Sequence, residues 1–448
     1  MKSIQQYTHT FFIGIGGIGM SALARYFNQK ELKVVGYDKT KTELTQTLIE
    51  EGIEVYYQQD IEENVLKNLP QESTLVVFTP AISSNSVLFD YFKADGFDMY
   101  KRAFILGEIT KNLPTLAVAG THGKTTTSAI LAHILKANQI KLTAFCGGVL
   151  QNYKTNYIGD GEDVVVIEAD EFDRSFLQLH PSAAVITSMD ADHLDIYGTS
   201  ESLTLAFQDF SNLVPKGHLY ANTTLDMEAQ SIAVNRSADY SIQHIIIENG
   251  SYRFNFESKD VILKDIQLSL PGHHNLFNAA AALCLAIDFK PSYADRFARA
   301  LASFEGVQRR FNYIYKSDFL IVIDDYAHHP KEIDAVHQAI SEMHPEKKYV
   351  VIFQPHLFSR TKDFADEFAK SLAQFDEVNL LDIYPAREEP MKGITSKYLL
   401  ELIDHPKKQL ILKNDIQDRI KNACDEVIVL LGAGDIGVEA SKILKLLK

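Results

Sequence analysis

The chain has 448 residues, a length that predicts two or three domains of ordinary size. Apolar residues make up 46% and charged residues 23% of it, a mix that argues against a disordered or fibrous protein. Its formal net charge of −15 also argues against a protein held mainly by nucleic-acid phosphates, because such binding needs basic counter-charge.

Short apolar runs, rich in β-branched residues, alternate with helix-like stretches along most of the chain. Runs that are apolar on both faces are typical of strands that helices cover on both sides. The stretches at 127–138 and 332–343 have apolar residues at helical spacing. This order predicts an α/β fold with doubly wound parallel sheets. The predicted strands are TFFIGIG, LKVVGYD, STLVVFTPA, PTLAVAG, DVVVIEAD, SAAVITSM, FLIVIDDY, KYVVIFQP and EVIVLLGAG.

Residues 230–270 break this alternation. Within them, the segment 241–270 predicts a small antiparallel meander, with a hairpin turn at Asn249–Gly250. Joints between domains are expected near 112–114, where a proline precedes a fresh strand, and near 305–307. We therefore divide the chain into three α/β domains, which span 1–112, 113–306 and 307–448.

A glycine-rich turn follows the first predicted strand and precedes a helix, with glycines at Gly14, Gly16, Gly17 and Gly19. Asp38 closes the next strand. In dinucleotide sites of this form, the glycines let a pyrophosphate approach the helix N-terminus, and the acid binds a ribose hydroxyl. An acidic protein can bind phosphate in this way, since backbone N–H groups do the binding. We therefore favour binding of a nucleotide phosphate, without specifying the nucleotide.

A second turn of the same form occupies Gly432–Gly437. No βαβ unit and no ribose-binding acid follow it within the 448 residues. A structural tight turn and a phosphate-facing loop are both open interpretations of this segment.

A third glycine-rich turn predicts ATP binding more specifically. A strand leads into a loop that contains Gly–Lys–Thr, and a helix follows. Backbone N–H groups of such a loop surround a phosphate, while Lys124 reaches the β- and γ-oxygens and Thr125 can bind Mg²⁺. Val118 stands where the usual Walker A sequence has its first glycine, so this loop is shorter. The predicted ATP-binding residues are Gly120, Thr121, His122, Gly123, Lys124, Thr125 and Thr126.

Acidic residues cluster after two later strands. The segment Glu168–Asp173 has four carboxylates, which repel one another unless cations share the site. Mg²⁺ prefers oxygen ligands beside phosphates, and Glu168 could supply one together with Thr125. His193, among three aspartates, could take a second metal position or contact phosphate, and a structural role is equally open.

The segments Asp324–Pro330 and Gln354–Thr361 end two strands of the last third. They should lie on one rim of a parallel sheet, where open α/β sheets bind ligands. Arg310 lies just past the second joint, and its guanidinium would suit a polyphosphate or a carboxylate.

The cysteines and the N-terminal segment bear on the cellular compartment. Cys146, Cys284 and Cys424 are scattered, so neither a disulfide framework nor a cysteine-based zinc site is expected. The first residues have no apolar signal core, and no apolar run approaches the ~20 residues of a membrane span. We expect a soluble cytoplasmic protein with no membrane span and no nucleic-acid partner.

These motifs, taken in chain order, resemble those of the Mur ligases, the ATP-dependent enzymes that form amide bonds in bacterial peptidoglycan synthesis. The resemblance runs through nearly the whole chain. It is carried by Gly14–Gly19, Gly120–Thr127, EADE, DHLD, PGHHNLFNAAAA, GVQRRF, DDYAHHP, QPHLFSRT and GAGDIG.

Within the family, the segments DRSF and DIYPAREEP are most similar to the branch that joins L-alanine to the carboxylate of UDP-N-acetylmuramate. The runner-up is the recycling branch, which attaches a ready-made tripeptide to the same sugar nucleotide. An NAD-dependent oxidoreductase and a non-catalytic nucleotide-binding regulator are more remote alternatives.

The resemblance implies a Rossmann-like N-terminal domain, a central P-loop ATPase-like domain and a Rossmann-like C-terminal domain, with ATP and Mg²⁺ as cofactors. It implies that the turn with Gly14, Gly16, Gly17 and Gly19, and the loop after Asp38, hold UDP-N-acetylmuramate rather than NAD. The residues with implied roles are Lys124, Glu168 and His193 in catalysis, Thr125, Glu168 and His193 in metal binding, Asn275, Asn278, Arg310 and Asp325 in nucleotide binding, and Tyr326, His328, His356 and Arg360 in the amino-acid pocket.

The sequence departs from the family pattern in two places. Some sibling ligases carry a carbamylated lysine after the DHLD segment, but Leu194–Pro215 contains no lysine. Ala327 and Arg387 stand where the commonest form of the motifs has glycine.

Overall fold

The computed structural model describes residues 4–57, 63–80, 86–190, 194–248, 251–386 and 388–447. Its chain forms two compact units, which we describe separately. The first comprises Met1–Ile245, Phe254–Gln267 and Phe277–Phe304, and the second comprises Ile246–Arg253, Leu268–Leu276 and Glu305–Lys448. Within the described residues, no helix has both the length and the apolar character needed to cross a membrane.

The first sheet has five parallel strands in the order β3-β2-β1-β4-β5. The order reverses between β1 and β4, and ligands of open α/β sheets bind at such a reversal. The turn that contains Gly14 follows β1. The elements are β1 (His9–Ile13), α1 (Ile18–Gln29), β2 (Lys33–Tyr37), α2 (Glu43–Glu50), β3 (Glu54–Tyr56), α3 (Glu63–Lys67), β4 (Thr74–Phe78), α4 (Val87–Ala94), β5 (Asp98–Lys101) and α5 (Arg102–Thr110).

The second sheet has ten strands. Strand β6, which leads into the predicted ATP-binding loop, lies near its middle, between β10 and β9. Its order is β15-β14-β13-β12-β11-β10-β6-β9-β7-β8. The elements are β6 (Thr115–Ala119), α6 (Lys124–Ala137), β7 (Leu142–Leu150), β8 (Thr155–Gly159), β9 (Val164–Glu168), β10 (Ala183–Ile186), α7 (Leu194–Tyr197), α8 (Ser200–Ser211), β11 (Leu219–Asn222), β12 (Gln230–Val234), β13 (Tyr240–Glu248), β14 (Ser251–Ser258), β15 (Ile262–Leu268), α9 (His273–Phe289) and α10 (Ala294–Ala300).

The antiparallel meander predicted within 230–270 falls on β13, β14 and β15, and their pairing directions stay a prediction. Strand β12 pairs in parallel with both β11 and β13, so this region extends the central sheet. Its strands show one buried face, as in Tyr252, Phe254 and Phe256 of β14. The predicted Asn249–Gly250 turn lies outside the described residues.

The third sheet has six strands in the order β16-β17-β21-β18-β19-β20, and only its edge strand β16 is antiparallel to its neighbour. Apolar clusters cover both faces, as expected for a doubly wound sheet. The elements are β16 (Asn312–Lys316), β17 (Leu320–Asp325), α11 (Pro330–Met343), β18 (Lys348–Phe353), α12 (Phe358–Asp363), α13 (Ala365–Leu372), β19 (Glu377–Leu380), α14 (Ser396–Leu402), β20 (Lys408–Leu410), α15 (Asp415–Lys421), β21 (Glu426–Leu431) and α16 (Ile436–Leu447).

The predicted α/β class is confirmed, and all nine predicted apolar strands occur, as β1, β2, β4, β6, β9, β10, β17, β18 and β21. The helix-like stretches at 127–138 and 332–343 form α6 and α11. The domain limits 1–112, 113–306 and 307–448 stay a prediction.

A buried polar network joins α1 of the first sheet to β8 of the second. Asn156 on β8 is fully buried; its amide donates to the Ile18 carbonyl (2.6 Å) and the Ser21 hydroxyl (3.0 Å) and accepts from Arg25. Arg25 also forms a two-pronged salt bridge with Glu51. One apolar cluster runs beside this network and includes side chains from both sheets. The two sheets therefore share a core.

We expect Asn156→Ala to destabilise the first unit by about 3 kcal/mol, because it leaves the Ile18 carbonyl and the Arg25 guanidinium without their buried partner. The thermal unfolding midpoint should fall by several degrees. Asn212→Ala, at an exposed helix end, is the matched control and should unfold within a degree or so of the wild type. Equal midpoints for the two variants would contradict a structural role for this network.

Candidate active site

The turn at Gly14–Gly19 closes on Asp38 at the end of β2. The Gly16 N–H donates to Asp38 Oδ2 (2.8 Å), and the Thr40 N–H donates to Oδ1 (3.0 Å). A Cβ on Gly16 would lie 2.7 Å from Thr45 Cγ2 and 2.8 Å from Asp38 Oδ2, so this position needs glycine. A Cβ on Gly19 would meet only the guanidinium end of Arg102, a flexible side chain that can move aside. Because Asp38 binds a backbone N–H of the turn, a dinucleotide pyrophosphate would have to displace this carboxylate before using that donor.

The loop between β6 and α6 has the backbone of a phosphate cradle. Gly120 and Gly123 have φ of +127° and +82°, values that only glycine adopts without strain. A Cβ on Gly120 would collide with the Thr187 hydroxyl, and one on Gly123 would lie 2.7 Å from Asn278 Oδ1. Helix α6 then begins at Lys124, so its first N–H groups point toward the loop. The loop therefore suits a phosphate group.

Lys124 contacts a carboxylate within this cradle. Its ammonium donates to both oxygens of Glu171 (2.9 and 2.8 Å) and to the Gly120 carbonyl (2.6 Å). Glu171 is fully buried. Burial by itself would lower the pKa of Lys124, but the charges of Glu171, Asp170 and Glu168 outweigh it and raise that pKa. Lys124 is therefore a protonated ammonium at neutral pH.

Thr125 and Glu168 face each other across the β6–α6 and β9 strand ends. The Thr125 hydroxyl donates to Glu168 Oε1 (3.1 Å), and the Gly147 N–H donates to Oε2 (3.0 Å). Hydroxyl and carboxylate oxygens beside a phosphate site are a donor set that fits Mg²⁺. Among the described residues, no three His, Cys, Asp or Glu side chains form a metal-binding group by themselves.

Protein cations lie beside three of the four carboxylates in the acidic segment Glu168–Asp173. Asp170 lies 3.5 Å from Arg102, and Asp173 lies 2.8 Å from Lys101. Glu171 pairs with Lys124, as described above. Glu168 instead accepts from a hydroxyl and a backbone N–H, and it is the carboxylate that adjoins the threonine of the cradle.

Two residues that the sequence interpretation missed hold the cradle from β10. The Ser188 hydroxyl accepts from the His122 N–H (2.8 Å) and lies 3.0 Å from the Thr121 hydroxyl. The Thr187 hydroxyl donates to the carbonyls of Ala119 and His122. Their only sequence signal is their place, directly after a buried strand that neighbours β6. Asn278 on α9 accepts from the Thr127 hydroxyl (3.1 Å).

In the second unit, the predicted amino-acid residues form a row of rings. Ring centroids lie 5.2 Å apart for Tyr326 and His328, and 6.0 Å apart for His328 and His356. Arg360 Nη1 lies 3.4 Å from His356 Nδ1. Arg310 stacks over Tyr326, 5.1 Å from its centroid. The structure thus brings these five side chains together at the carboxyl ends of β17 and β18.

Asp325 and Asn275, also in the second unit, are buried and hydrogen-bonded to the backbone. Asp325 accepts from the N–H groups of Phe311 (2.6 Å) and Ala327 (2.7 Å). Asn275 donates to the Pro271 carbonyl (2.6 Å). Their proposed contacts with nucleotide stay a prediction.

The residue that precedes helix α12, beside these rings, has a strained backbone conformation. Leu357 has φ of +70°, in the left-handed region that non-glycine side chains rarely adopt. The Ser359 N–H donates to Glu388 Oε2 (3.0 Å), and the Ser359 hydroxyl donates to the same carboxylate. Strain of this kind concentrates at functional sites, where the surrounding contacts enforce it.

Two positions singled out in the sequence lie outside the described residues. His193 and Arg387 are not described, so the predicted second metal ligand stays a prediction. Leu194–Pro215, the segment without lysine, contains α7 and α8.

The chain is similar to known proteins along nearly its whole length. Three Mur ligase family models match the chain in sequence order: the Mur ligase family catalytic domain over 9–113, the Mur ligase middle domain over 118–286, and the Mur ligase glutamate ligase domain over 309–440. The chain belongs to the Mur ligase family.

Relatives that match over their full length indicate which branch of the Mur ligases this chain is most similar to. The UDP-N-acetylmuramate–L-alanine ligase of Christiangramia forsetii is 52% identical over 100% of this chain and 99% of its own. The ligase of the same name from Flavobacterium johnsoniae is 50% identical over 99% of both chains. Among solved structures, UDP-N-acetylmuramate–alanine ligase of Thermotoga maritima matches with a TM-score of 0.83 at 27% identity, covering 98% of this chain and 99% of its own.

A murein peptide ligase from Psychrobacter arcticus shares the Mur ligase fold with a TM-score of 0.70 at 23% identity, covering 98% of both chains. The predicted three-domain Mur ligase architecture is thus confirmed. The individual roles of the site residues stay predictions.

Beside the row of rings, this Mur ligase has a pair of buried acids whose ionisation should affect stability. Burial raises the pKa of Asp324 to about 7 despite the nearby Arg309, and burial raises that of Asp325 to about 6. An acid with a higher pKa in the folded chain than in the unfolded one stabilises the fold fully only at low pH. The contribution of Asp324 should therefore decline as pH rises from about 4 toward 7.

We expect Asp324→Asn to remove this decline. Between pH 5 and 7, the stability of the wild type relative to the variant should fall on the order of 1 kcal/mol per pH unit. Thermal unfolding of both proteins at half-unit pH steps measures the difference. A difference in midpoint that does not change with pH would mean that Asp324 is ionised throughout.

Proposed function

We propose that this Mur ligase joins L-alanine to the carboxylate of UDP-N-acetylmuramate at the expense of ATP, with Mg²⁺, and so begins the peptide of peptidoglycan. The observation that supports it most is the 52% identity, along the whole chain, to a ligase whose name states both substrates. The reaction would take place in the bacterial cytoplasm, where ATP is supplied.

The cradle supports the nucleotide part of this proposal. The loop from Gly120 to Thr126 supplies backbone N–H groups for the phosphates, and the Lys124 ammonium supplies the charge for the β- and γ-oxygens. Thr125 and Glu168 would hold Mg²⁺, with His193 as the proposed second ligand. When bound, Mg²⁺ offsets negative charge on the phosphate oxygens.

The chemistry begins with a carboxylate that is a poor acyl donor. Transfer of the γ-phosphoryl group to the carboxylate of UDP-N-acetylmuramate gives an acyl phosphate and ADP. Lys124 stabilises the charge that develops on the transferring oxygens. The L-alanine amine then attacks the acyl carbon, the amide bond forms, inorganic phosphate leaves, and the amine loses a proton.

The second unit supports the amino-acid part. Arg360 suits the alanine carboxylate, because a guanidinium binds a carboxylate with two hydrogen bonds. Tyr326, His328 and His356 would form the walls of the pocket. The Tyr326–His328 pair and His193 are the candidates for accepting the proton that the alanine ammonium loses as its nitrogen attacks the acyl carbon.

The decisive experiment mixes the purified protein with ATP, Mg²⁺ and UDP-N-acetylmuramate. Phosphate release is then followed with L-alanine or with the tripeptide L-alanyl-γ-D-glutamyl-meso-diaminopimelate added separately. We expect release with L-alanine alone. Phosphate release with the tripeptide alone would assign the recycling reaction instead. No release with either acceptor would reject the proposed acceptor.

A further inference from the structure

The turn at Gly432–Gly437 matches a phosphate-binding fingerprint, but protein groups occupy it. Gln354, almost fully buried, accepts from the Ile436 N–H (2.9 Å) and donates to Asp435 (2.7 Å). Arg309 donates to the carbonyls of Gly432 and Gly434. A Cβ on Gly432 would lie 2.7 Å from the Gln354 carbonyl. These contacts favour the structural interpretation of the turn over a phosphate-facing loop.

The absent side chain of Gly434 makes room for one particular ring. A Cβ at this position would collide with Gln354 Oε1 and would lie 2.8 Å from both Cβ and Cγ of Tyr384. Tyr384 belongs to the DIYPAREEP segment that follows β19. The close approach of the Tyr384 side chain to the turn therefore depends on glycine at 434.

Tyr384 is fixed to the segment that carries His356. The Tyr384 N–H donates to the Pro355 carbonyl (2.8 Å), and the Leu357 N–H donates to the Tyr384 carbonyl (3.0 Å). Its ring stacks on the His356 ring, with centroids 5.8 Å apart and planes 15° apart. Tyr384 therefore extends the row of Tyr326, His328 and His356 by a fourth ring.

We infer that Gly434 and Tyr384 are positioning residues for the amino-acid pocket: the second glycine turn holds Tyr384, and Tyr384 sets the plane of His356. This inference rests on the proposed function, since it assigns His356 to the amino-acid pocket. It gives the GAGDIG segment a role in acceptor binding rather than in phosphate binding.

The test is steady-state phosphate release by the full chain with each of the three substrates varied in turn. For Gly434→Ala and Tyr384→Ala, we expect the KM for L-alanine to rise roughly 10-fold or more, because small displacements of positioned groups have large effects. The KM for ATP and for UDP-N-acetylmuramate should stay within about 2-fold. Tyr384→Phe keeps the stacked ring and should restore the wild-type KM for L-alanine.

The control is Tyr398→Ala, which removes a half-buried tyrosine from α14 of the same unit and should leave all three KM values unchanged. If Gly434→Ala fails to fold, the comparison of Tyr384→Ala with Tyr384→Phe still tests the inference. A rise in KM for ATP in Gly434→Ala, a parallel rise for all substrates, or an unchanged KM for L-alanine in Tyr384→Ala would each overturn the inference. A wild type that shows no alanine-dependent release would instead reject the proposed function.

Discussion

Lys124→Ala should reduce ATP-dependent phosphate release by about 1,000-fold or more, while UDP-N-acetylmuramate still binds with nearly wild-type affinity. The Lys124 ammonium is the cation of the cradle, held by Glu171 at 2.8 Å and by the Gly120 carbonyl. Its removal takes away the charge that would stabilise the transferring phosphoryl group. It also removes the cation that pairs with the fully buried Glu171 carboxylate, so a negative charge in the cradle loses its compensation.

Lys136→Ala is the control for this change, since Lys136 lies in the last turn of the same helix and pairs with Asp160 near the surface. We expect that variant to keep wild-type activity. Calorimetric titration with UDP-N-acetylmuramate separates loss of chemistry from loss of the sugar site. Simultaneous loss of sugar binding and phosphate release in Lys124→Ala would contradict the separate assignments of the two glycine turns.

Glu168→Gln should lower the maximal rate by about 100-fold and raise the Mg²⁺ concentration needed for half-maximal rate by about 10-fold. The amide keeps the size of the side chain and can still accept from the Thr125 hydroxyl, but it removes the negative charge that favours a divalent cation. Phosphate release measured against free Mg²⁺, at saturating ATP, gives both numbers. Activity should recover in part at high Mg²⁺.

Asp173→Asn is the matched control for this second prediction. Asp173 lies in the same acidic segment, but it pairs with Lys101 at the surface of the first unit. Its Mg²⁺ dependence should equal that of the wild type. If both variants shift the Mg²⁺ requirement equally, the segment acts through its total charge rather than through a metal ligand at 168.

The sequence was sufficient to predict the buried parallel strands, because a strand covered on both faces has an unbroken apolar run that few other structures produce. Strand β7 was missed because Gly147 and Gly148 interrupt its apolar run. The parallel pairing of β12 was also missed, since half-buried strands show alternation whether their neighbours are parallel or antiparallel.

The candidate site was predictable where function requires an unusual local sequence, as in the glycines and lysine of the cradle. The contacts that support the site could not be predicted from the sequence. The partners of Asp170 and Asp173 are Arg102 and Lys101, which lie about seventy positions earlier in the chain. Local sequence spacing carries no information about such distant pairs. The same holds for Ser188, whose hydroxyl holds the cradle although its sequence context is unremarkable for a serine after a strand.

The network around Asn156 sets a limit on how this protein can be recombined with its relatives. A chimera that exchanges only the first 112 residues would pair a foreign α1 with the native β8 and would have to supply matching partners for the Asn156 amide. Any mismatch would leave polar groups without hydrogen bonds inside a core that the two sheets share. Successful hybrids should therefore inherit α1, β8 and Glu51 from one parent, whatever the origin of the residues between them.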